Sequence, residues 1–371
     1  MVEAGSGGLG VATYGRAAGL AARWRLAPRT VGDRLQRAAL VVGAWARGTS
    51  GARPTSLSWA ITTAVPSPRV VERWGDWHFA QALARSLRRS GHRAVVQRLD
   101  QADSPAGRAC DVHLVLHGLR SVPRTGGRRA GGQGHILWVI SHPETLTDAD
   151  CDDADLVLVA SERFAEHLRG RTATPVEVLL QATDHHRFRP VAPRPEHRHD
   201  VTVVAKTRDV RRAIVSDAIE AGLRPSIYGG GWRSLVDPAL VVADHIDNRD
   251  LPAVYCSAGV VLNDHWEAMR DWGFVSNRLF DVLACGVPVI SDPVVGLSDL
   301  FSDAVPAYEN PEQLRRLVDD VLGDPPRARD RARQGQAAVL ASHTFDHRAA
   351  TLIAHVGRHL PHLHREIGPQ P

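Results

Sequence analysis

Short apolar runs alternate with amphipathic helical segments through most of the chain after its first 55 residues. The run from Trp59 to Val65 predicts a strand, and the segment 76–89 places Phe79, Leu83 and Leu87 at helical spacing. Short β-rich runs separated by helices or glycine-rich loops are typical of buried parallel strands. Five more such runs follow, at 94–99, 112–116, 136–140, 156–160 and 176–180.

The same alternation starts again at Val201, after a segment rich in proline and charge. The expected fold class is therefore α/β, with two tandem Rossmann-like, doubly wound domains and a cleft between them. The second set of strands is predicted at 201–205, 226–228, 260–262 and 287–290, with helices at 211–221, 251–257, 277–284 and 311–322. The predicted organisation is an appendage at 1–55, helical or flexible, a first domain at 56–187, a linker at 188–200, a second domain at 201–345 and a C-terminal helix and tail at 346–371.

Length and composition agree with two packed domains and exclude several protein classes. The chain has 371 residues, 43% apolar and 23% charged, which excludes a disordered or coiled-coil protein. A net charge of +4 among 86 charged side chains does not predict a nucleic-acid partner. No export signal or membrane anchor is visible, and the four cysteines do not form close pairs, so we expect a reducing cytoplasm.

The first 55 residues differ from the rest, because they show no clear strand. They contain the run from Gly5 to Gly10, which matches the dinucleotide-binding fingerprint literally. That motif requires a preceding strand, and only four residues come before it. A flexible terminus is the expected interpretation, and a dehydrogenase is poorly supported.

The loop after the first strand of the second domain is basic and includes the only lysine of the chain, Lys206. Arg208, Arg211 and Arg212 follow it, at the start of a predicted helix. Cations beyond a strand end and beside the positive end of a helix suit a diphosphate. A solvated run of charges would have the same sequence, and the residues alone leave both interpretations open.

Two further loops of this domain are candidates for ligand binding. Glycines at 229, 230 and 231, followed by Trp232, come directly after a predicted strand, where they form either a ligand-approach loop or a structural turn. Ser276 or Asn277 is expected to cap the helix at 277–284 and to leave backbone N–H groups facing the cleft. Asp281, one turn into that helix, either accepts hydrogen bonds from ribose hydroxyls or complements the helix dipole.

Taken in order, these runs resemble the C-terminal domain of glycosyltransferases with the GT-B fold, in the retaining, family 4-like group and its spore-maturation-type branch. The resemblance extends over about 201–322. It rests on Tyr228-Gly-Gly-Gly-Trp232, Asp250-Leu-Pro-Ala-Val-Tyr255, Val261-Leu-Asn263 and Asn277-Arg-Leu-Phe-Asp281 followed by Ala284-Cys-Gly286. The first domain matches more loosely, through Ser141-His-Pro143 and Ala182-Thr-Asp184.

The resemblance implies a nucleotide-sugar donor in the second domain, an acceptor mainly in the first, and no required metal or other cofactor. It assigns catalytic roles to His142, to Lys206 and to Arg211, with Arg212 as the alternative basic residue. The remaining donor-binding residues that it implies are Arg208, Arg212, Gly229, Gly230, Gly231, Trp232, Asn263, His265, Ser276, Asn277, Arg278 and Asp281. The first carboxylate of the family's acidic pair falls at Gly273, so Asp264, Glu267 or Asp271 would have to replace it.

The sequence therefore predicts a cytoplasmic glycosyltransferase that moves a sugar from a nucleoside diphosphate to an unidentified acceptor. The resemblance implies that the transfer retains the anomeric configuration. The acceptor is a glycan, a lipid-linked or a small molecule, and peripheral membrane contact is left open. The alternatives are a nucleotide-sugar epimerase of the same fold and a nucleotide-binding protein without turnover. Histidine clusters at 184–186, 197–200 and 362–364 predict only adventitious metal binding, because each lacks a third ligand at suitable spacing.

Overall fold

The computed structural model describes residues 56–119, 122, 132–207 and 210–364. The predicted appendage at 1–55, with its glycine run, and most of the segment 120–131 lie outside these residues. The first of two parallel sheets has six strands in the order β2-β1-β3-β4-β5-β6. They are β1 (Ser58–Thr62), β2 (Arg93–Gln97), β3 (Val112–His117), β4 (Gly134–Val139), β5 (Leu156–Val159) and β6 (Val176–Val178).

The helices of the first half pack on both faces of this sheet. They are α1 (Gly75–Arg89), α2 (Pro105–Arg108), α3 (Asp148–Asp152) and α4 (Glu162–Arg169). Phe79, Leu83 and Leu87 of α1 are buried in the core on one face, as their spacing predicts. Phe164 and Leu168 of α4 pack on the other face.

The second sheet has five parallel strands in the order β11-β10-β7-β8-β9. They are β7 (His199–Val204), β8 (Ser226–Tyr228), β9 (Val241–Ala243), β10 (Ala258–Asn263) and β11 (Val289–Ser291). The helices after β7 are α5 (Ala213–Glu220), α6 (Leu251–Ser257), α7 (Glu267–Trp272), α8 (Asn277–Ala284), α9 (Leu297–Phe301), α10 (Pro311–Gly323), α11 (Pro325–Ser342) and α12 (Phe345–His359).

The two parallel sheets with helices between their strands confirm the predicted α/β fold class. One strand, β9, is absent from the prediction because its three residues form a short edge strand with an exposed Val242. The predicted linker also contains the start of β7, at His199.

The last helix returns to the first half of the chain. Phe345, Leu352 and Val356 of α12 are buried in the same core as α1. Arg348 donates hydrogen bonds to the backbone oxygens of Leu180 (2.7 Å) and Gln181 (2.9 Å). The two halves are thus joined by this helix as well as by the chain between the sheets. Among the described residues, no helix has both the length and the apolar character needed to cross a bilayer.

Candidate active site

A cleft of about 310 Å³ lies where loops from the carboxyl ends of both sheets meet. Its walls include Ser141 after β4, Asp184 after β6 and Asp264 after β10. Ligands of parallel α/β sheets bind at such strand ends. Seven of the predicted site residues line it, namely His142, Arg212, His265, Ser276, Asn277, Arg278 and Asp281.

Arg212 is held in the cleft by a buried ion pair. Its Nη2 contacts Asp264 Oδ1, and its Nε donates to Asp264 Oδ2 at 3.1 Å. The guanidinium carbon lies 5.1 Å from the centre of the Trp266 ring. Because the fork of donors meets one carboxylate, Arg212 is fixed in orientation and its charge is balanced by Asp264.

Arg278 brings a second guanidinium group beside the first. Its Nη1 donates to the neutral amide oxygen of Asn263 at 2.7 Å, and it forms no ion pair within the described part of the chain. Burial and the neighbouring charge of Arg212 lower the pKa of Arg278. Two guanidinium groups thus share this wall, and only Arg212 forms an ion pair there. Such an arrangement favours an anion.

His265 holds the N-terminal end of α8 in place beside the cleft. The backbone N–H of Ser276 donates to His265 Nε2 at 2.9 Å, and His265 Nδ1 lies 2.6 Å from Asp292 Oδ1. Because a backbone amide only donates, Nε2 is the acceptor, and the protonated Nδ1 donates a hydrogen bond to the Asp292 carboxylate. Of the two predicted caps, Ser276 and Asn277, Ser276 occupies the N-cap position, but its side chain makes no capping hydrogen bond. His265 therefore fixes this end of the helix.

Asp281 faces the cleft from the first turns of α8. Thr183 Oγ1 donates to its Oδ1 and Asn277 Nδ2 to its Oδ2, both at 2.7 Å. Burial raises the pKa of Asp281 to about 8, against the lowering effect of the Thr183 hydrogen bond, and the charge of Asp184 raises it further. Asn277 Oδ1 is a buried acceptor with no hydrogen-bond partner among the described residues. An unpartnered acceptor beside this carboxyl group suits a ligand with hydroxyl or N–H donors.

Asp281→Asn is expected to flatten the pH dependence of stability. The folded-state pKa lies above the unfolded value, so the contribution to stability is present below about pH 4 and is lost as pH rises toward 8. The parent should therefore lose more free energy of unfolding than the variant between pH 5 and pH 9, measured by urea denaturation. Asp271→Asn, at an exposed position, serves as the control and should follow the parent. Parallel profiles for parent and Asp281→Asn would contradict the assignment.

His142 contributes a strained residue from the first half. It has a φ of 52°, in the left-handed region that residues other than glycine seldom adopt. Its Nδ1 lies 2.7 Å from Glu144 Oε1, and its ring lies 5.9 Å from that of Trp266. Strained residues that the surroundings hold in place occur often at functional sites. His142 therefore reaches the wall formed by Trp266 and Arg212.

Other predicted site residues do not line this cleft. Lys206 is exposed and donates to Arg73 O at 2.6 Å, and Arg211 is exposed and donates to Leu235 O at 2.6 Å. Asn263 is buried and holds Arg278, as described above. The roles of Lys206 and Arg211 in binding stay predictions, and Arg208 lies outside the described residues.

The glycine turn has a structural explanation. A Cβ at Gly229, where φ is 146°, would lie 2.0 Å from Ala205 O, and one at Gly231 would lie 2.2 Å from Thr207 Oγ1. Trp232 is fully buried in the core and donates to Ala205 O at 2.6 Å. This position corrects the prediction of a donor contact for the Trp232 side chain. A donor contact by the backbone of the glycines, Gly230 included, stays a prediction.

Gly273, where the resemblance places a carboxylate, stands at a position that is strained and tight for any side chain. Its φ is 75°, and a Cβ there would lie 3.1 Å from Val295 O. Of the three acids named as replacements, Asp264 lines the cleft, whereas Glu267 and Asp271 are exposed and absent from its walls. Asp264 is therefore the replacement that the geometry favours.

The sequence interpretation missed the polar residues of the first half that complete the cleft. Asp76 and Arg85 come from α1, and Asp184 and Arg187 follow β6. Arg85 Nη2 donates to Asp184 Oδ2 at 2.6 Å. The signal available for Arg85 was its position on the side of α1 opposite Phe79, Leu83 and Leu87, whereas Asp76 shares their side at the start of the helix.

Comparison with known proteins gives a family match for part of the chain. Residues 207–354 match a family model described as "Glycosyl transferase-like". This segment contains Arg212, Arg278 and Asp281 of the cleft. No curated protein matches the chain by sequence.

Solved structures share the fold at low sequence identity. An α-glucosyltransferase in complex with UDP has a TM-score of 0.60 at 9% identity, over 81% of this chain and 100% of that chain. Sucrose-phosphate synthase from Thermosynechococcus elongatus has a TM-score of 0.57 at 14% identity, over 82% and 99%. Anabaena HepE in complex with UDP and glucose has a TM-score of 0.54 at 10% identity, over 81% and 100%. The chain therefore carries a glycosyl transferase-like domain on the two-domain GT-B fold of glycosyltransferases.

Proposed function

We propose that the protein is a glycosyltransferase that transfers a sugar from a nucleoside diphosphate sugar to an acceptor, with retention of configuration and without a required metal. The observation that carries this proposal is the pair of guanidinium groups, Arg212 and Arg278, of which Arg278 has no ion-pair partner in the described residues. A leaving nucleoside diphosphate would supply the anion that pairs with Arg278, because its negative charge grows as the bond to the sugar breaks.

The residues of the cleft support a division into a side that binds the donor nucleotide and a side that binds the sugar and the acceptor. Arg278, Asn277 and Asp281 offer charge, an acceptor and a carboxyl group within two turns of one helix, which suits a diphosphate and a ribose. The first half supplies His142, with Arg85 and Asp184 farther along the wall, and this side would hold the sugar and the acceptor. Lys206 and Arg211 enter the proposal through the resemblance alone.

Two arginines at one wall also support a metal-independent reaction. Arginine, lysine and magnesium ions are alternative ways to stabilise phosphate charge. Retention rests on the resemblance. The acceptor is proposed only as a hydroxyl-bearing molecule that fits the first half of the cleft.

A nucleotide-binding protein without turnover is the second candidate. The observation that favours it is Gly273, because the position of one carboxylate of the family's acidic pair holds a glycine with a φ of 75°, where a Cβ would lie 3.1 Å from Val295 O. This candidate shares nucleotide binding with the first and differs only in turnover.

Calorimetry with a panel of nucleotides tests the proposal. UDP is the first probe, because two of the three structural neighbours named above are complexes with UDP, and GDP, TDP and NAD complete the panel. We expect one nucleoside diphosphate to bind at a single site and, at 100 times its Kd, to stabilise the fold by about 2.7 kcal/mol. Arg278→Met is the matched control and should bind at least tenfold more weakly. Stabilisation by NAD alone, or by none of the four nucleotides, would contradict the proposal.

A further inference from the structure

A second group of chemically active side chains lies at the edge of the first sheet, outside the cleft. Glu177 belongs to the edge strand β6, and His355 and His359 are four residues apart on α12. Residues four apart lie on one face of a helix. One ligand atom from each of the three residues lies within 4.8 Å of the others.

The distances are close to those that a bound metal requires. Glu177 Oε1 lies 2.9 Å from His359 Nε2 and 4.0 Å from His355 Nδ1. Metal bonds of about 2.0–2.1 Å in a tetrahedral arrangement place two ligand atoms about 3.3 Å apart. A small movement of the Glu177 carboxylate, toward His355 and away from His359, would therefore equalise the two distances.

His355 supplies the observation that points to a missing partner. The residue is 9% exposed, and its Nδ1 has no hydrogen-bond partner among the described residues. A buried polar atom without a partner requires an explanation, and here it belongs to a metal-ligating side chain beside two others.

The charge near the cluster does not prevent cation binding. Arg358 Nη1 contacts Glu177 Oε1 at 3.3 Å, and its side chain is 59% exposed. An exposed arginine can turn into solvent at little cost, because a surface ion pair contributes about 0–1 kcal/mol. The carboxylate would then be available to the metal.

We infer that Glu177, His355 and His359 form a binding site for a divalent transition-metal ion, with zinc as the ion best suited to two imidazoles and one carboxylate. The ion would fasten α12 to the edge of the first sheet. Three protein ligands leave a fourth position for water. The inference is independent of the proposed transferase activity.

A second cluster offers a matched control. His185, His186 and Asp346 also come within metal-binding distance of one another, so the structure supplies the third ligand that the sequence at 184–186 lacks. The His186 side chain is 54% exposed, and Asp346 already accepts a hydrogen bond from Arg89 at 2.6 Å. Within the described part of the chain, neither histidine ring of this cluster has a buried nitrogen that lacks a hydrogen-bond partner.

The test uses the full chain without a histidine tag, treated with chelator and titrated with Zn²⁺ alone. We expect one ion per chain, a rise in melting temperature with Zn²⁺ concentration, and a visible absorption spectrum of tetrahedral type when Co²⁺ replaces Zn²⁺. His359→Gln and Glu177→Gln should each weaken Zn²⁺ binding at least tenfold, whereas His186→Ala should bind like the parent.

Melting curves in chelator show whether each variant is folded before metal is added. His359→Gln and Glu177→Gln remove partly exposed side chains, so both should remain folded. No binding of Zn²⁺ by the folded parent would overturn the inference. Equal binding by the parent and both folded variants, or loss of binding in His186→Ala alone, would also overturn it.

Discussion

Replacement of Arg278 by methionine is expected to lower kcat/KM for the donor by about 100- to 1000-fold, the effect of removing one well-placed donor to a developing negative charge. The free energy of unfolding should change by less than about 1 kcal/mol. Methionine removes the hydrogen bond to Asn263 but also removes a cation that stands beside Arg212 without an ion-pair partner. Nucleotide release and urea denaturation measure the two effects.

Lys206→Ala is the comparison for this prediction. Lys206 is exposed and lies outside the walls of the cleft, so its loss should weaken binding or turnover only several-fold and leave the fold intact. An Arg278→Met protein with the kcat/KM of the parent would remove Arg278 from the site. A larger loss of kcat/KM in Lys206→Ala than in Arg278→Met would instead place the diphosphate-binding site at the segment 206–212.

His142→Ala is expected to lower kcat by about 30- to 100-fold and to leave the Kd of the nucleoside diphosphate within about twofold. The proposal places His142 on the sugar, so its contact strengthens only as the transition state forms, and such losses appear in kcat. Calorimetry with the nucleotide and chromatography of the released nucleotide separate the two quantities.

Two variants control for the unusual backbone at this position. Asparagine tolerates a positive φ better than most residues, so His142→Asn removes the imidazole with little added strain at a φ of 52°. It should lose turnover as His142→Ala does. His186→Ala removes an exposed histidine outside the cleft and should retain parental turnover. Parental kcat in both position-142 variants would exclude a catalytic role for His142.

The second half of the fold was readable from the sequence because its elements are signalled locally. The apolar positions of 277–284 give helix α8 with the predicted bounds, and 226–228 gives β8. Apolar runs of this kind report burial directly. The three-residue strand β9 was missed because a short edge strand carries little hydrophobic signal.

Only part of the candidate site could be predicted, because a cleft is formed by segments that are distant in the sequence. Residues within one stretch, such as Asn277 and Asp281, were found through their position on one helix. Arg85 was missed, since nothing in the sequence of α1 shows that its polar face meets Asp184, 99 residues away. Trp232 was misassigned because the sequence beside a glycine turn does not reveal whether an indole points outward or into the core.

Release of nucleoside diphosphate from a nucleotide sugar tests the transferase proposal most directly. The parent, Arg278→Met and His142→Asn are incubated with UDP-, GDP- and TDP-hexoses, with water or a panel of hydroxyl-bearing acceptors, and the products are separated by chromatography. We expect the parent to release nucleoside diphosphate from at least one donor and both variants to release it at least tenfold more slowly. Nucleotide binding should be weakened only in Arg278→Met. A parent protein that binds a nucleoside diphosphate but releases none from any donor would contradict the transferase assignment and leave a binding protein.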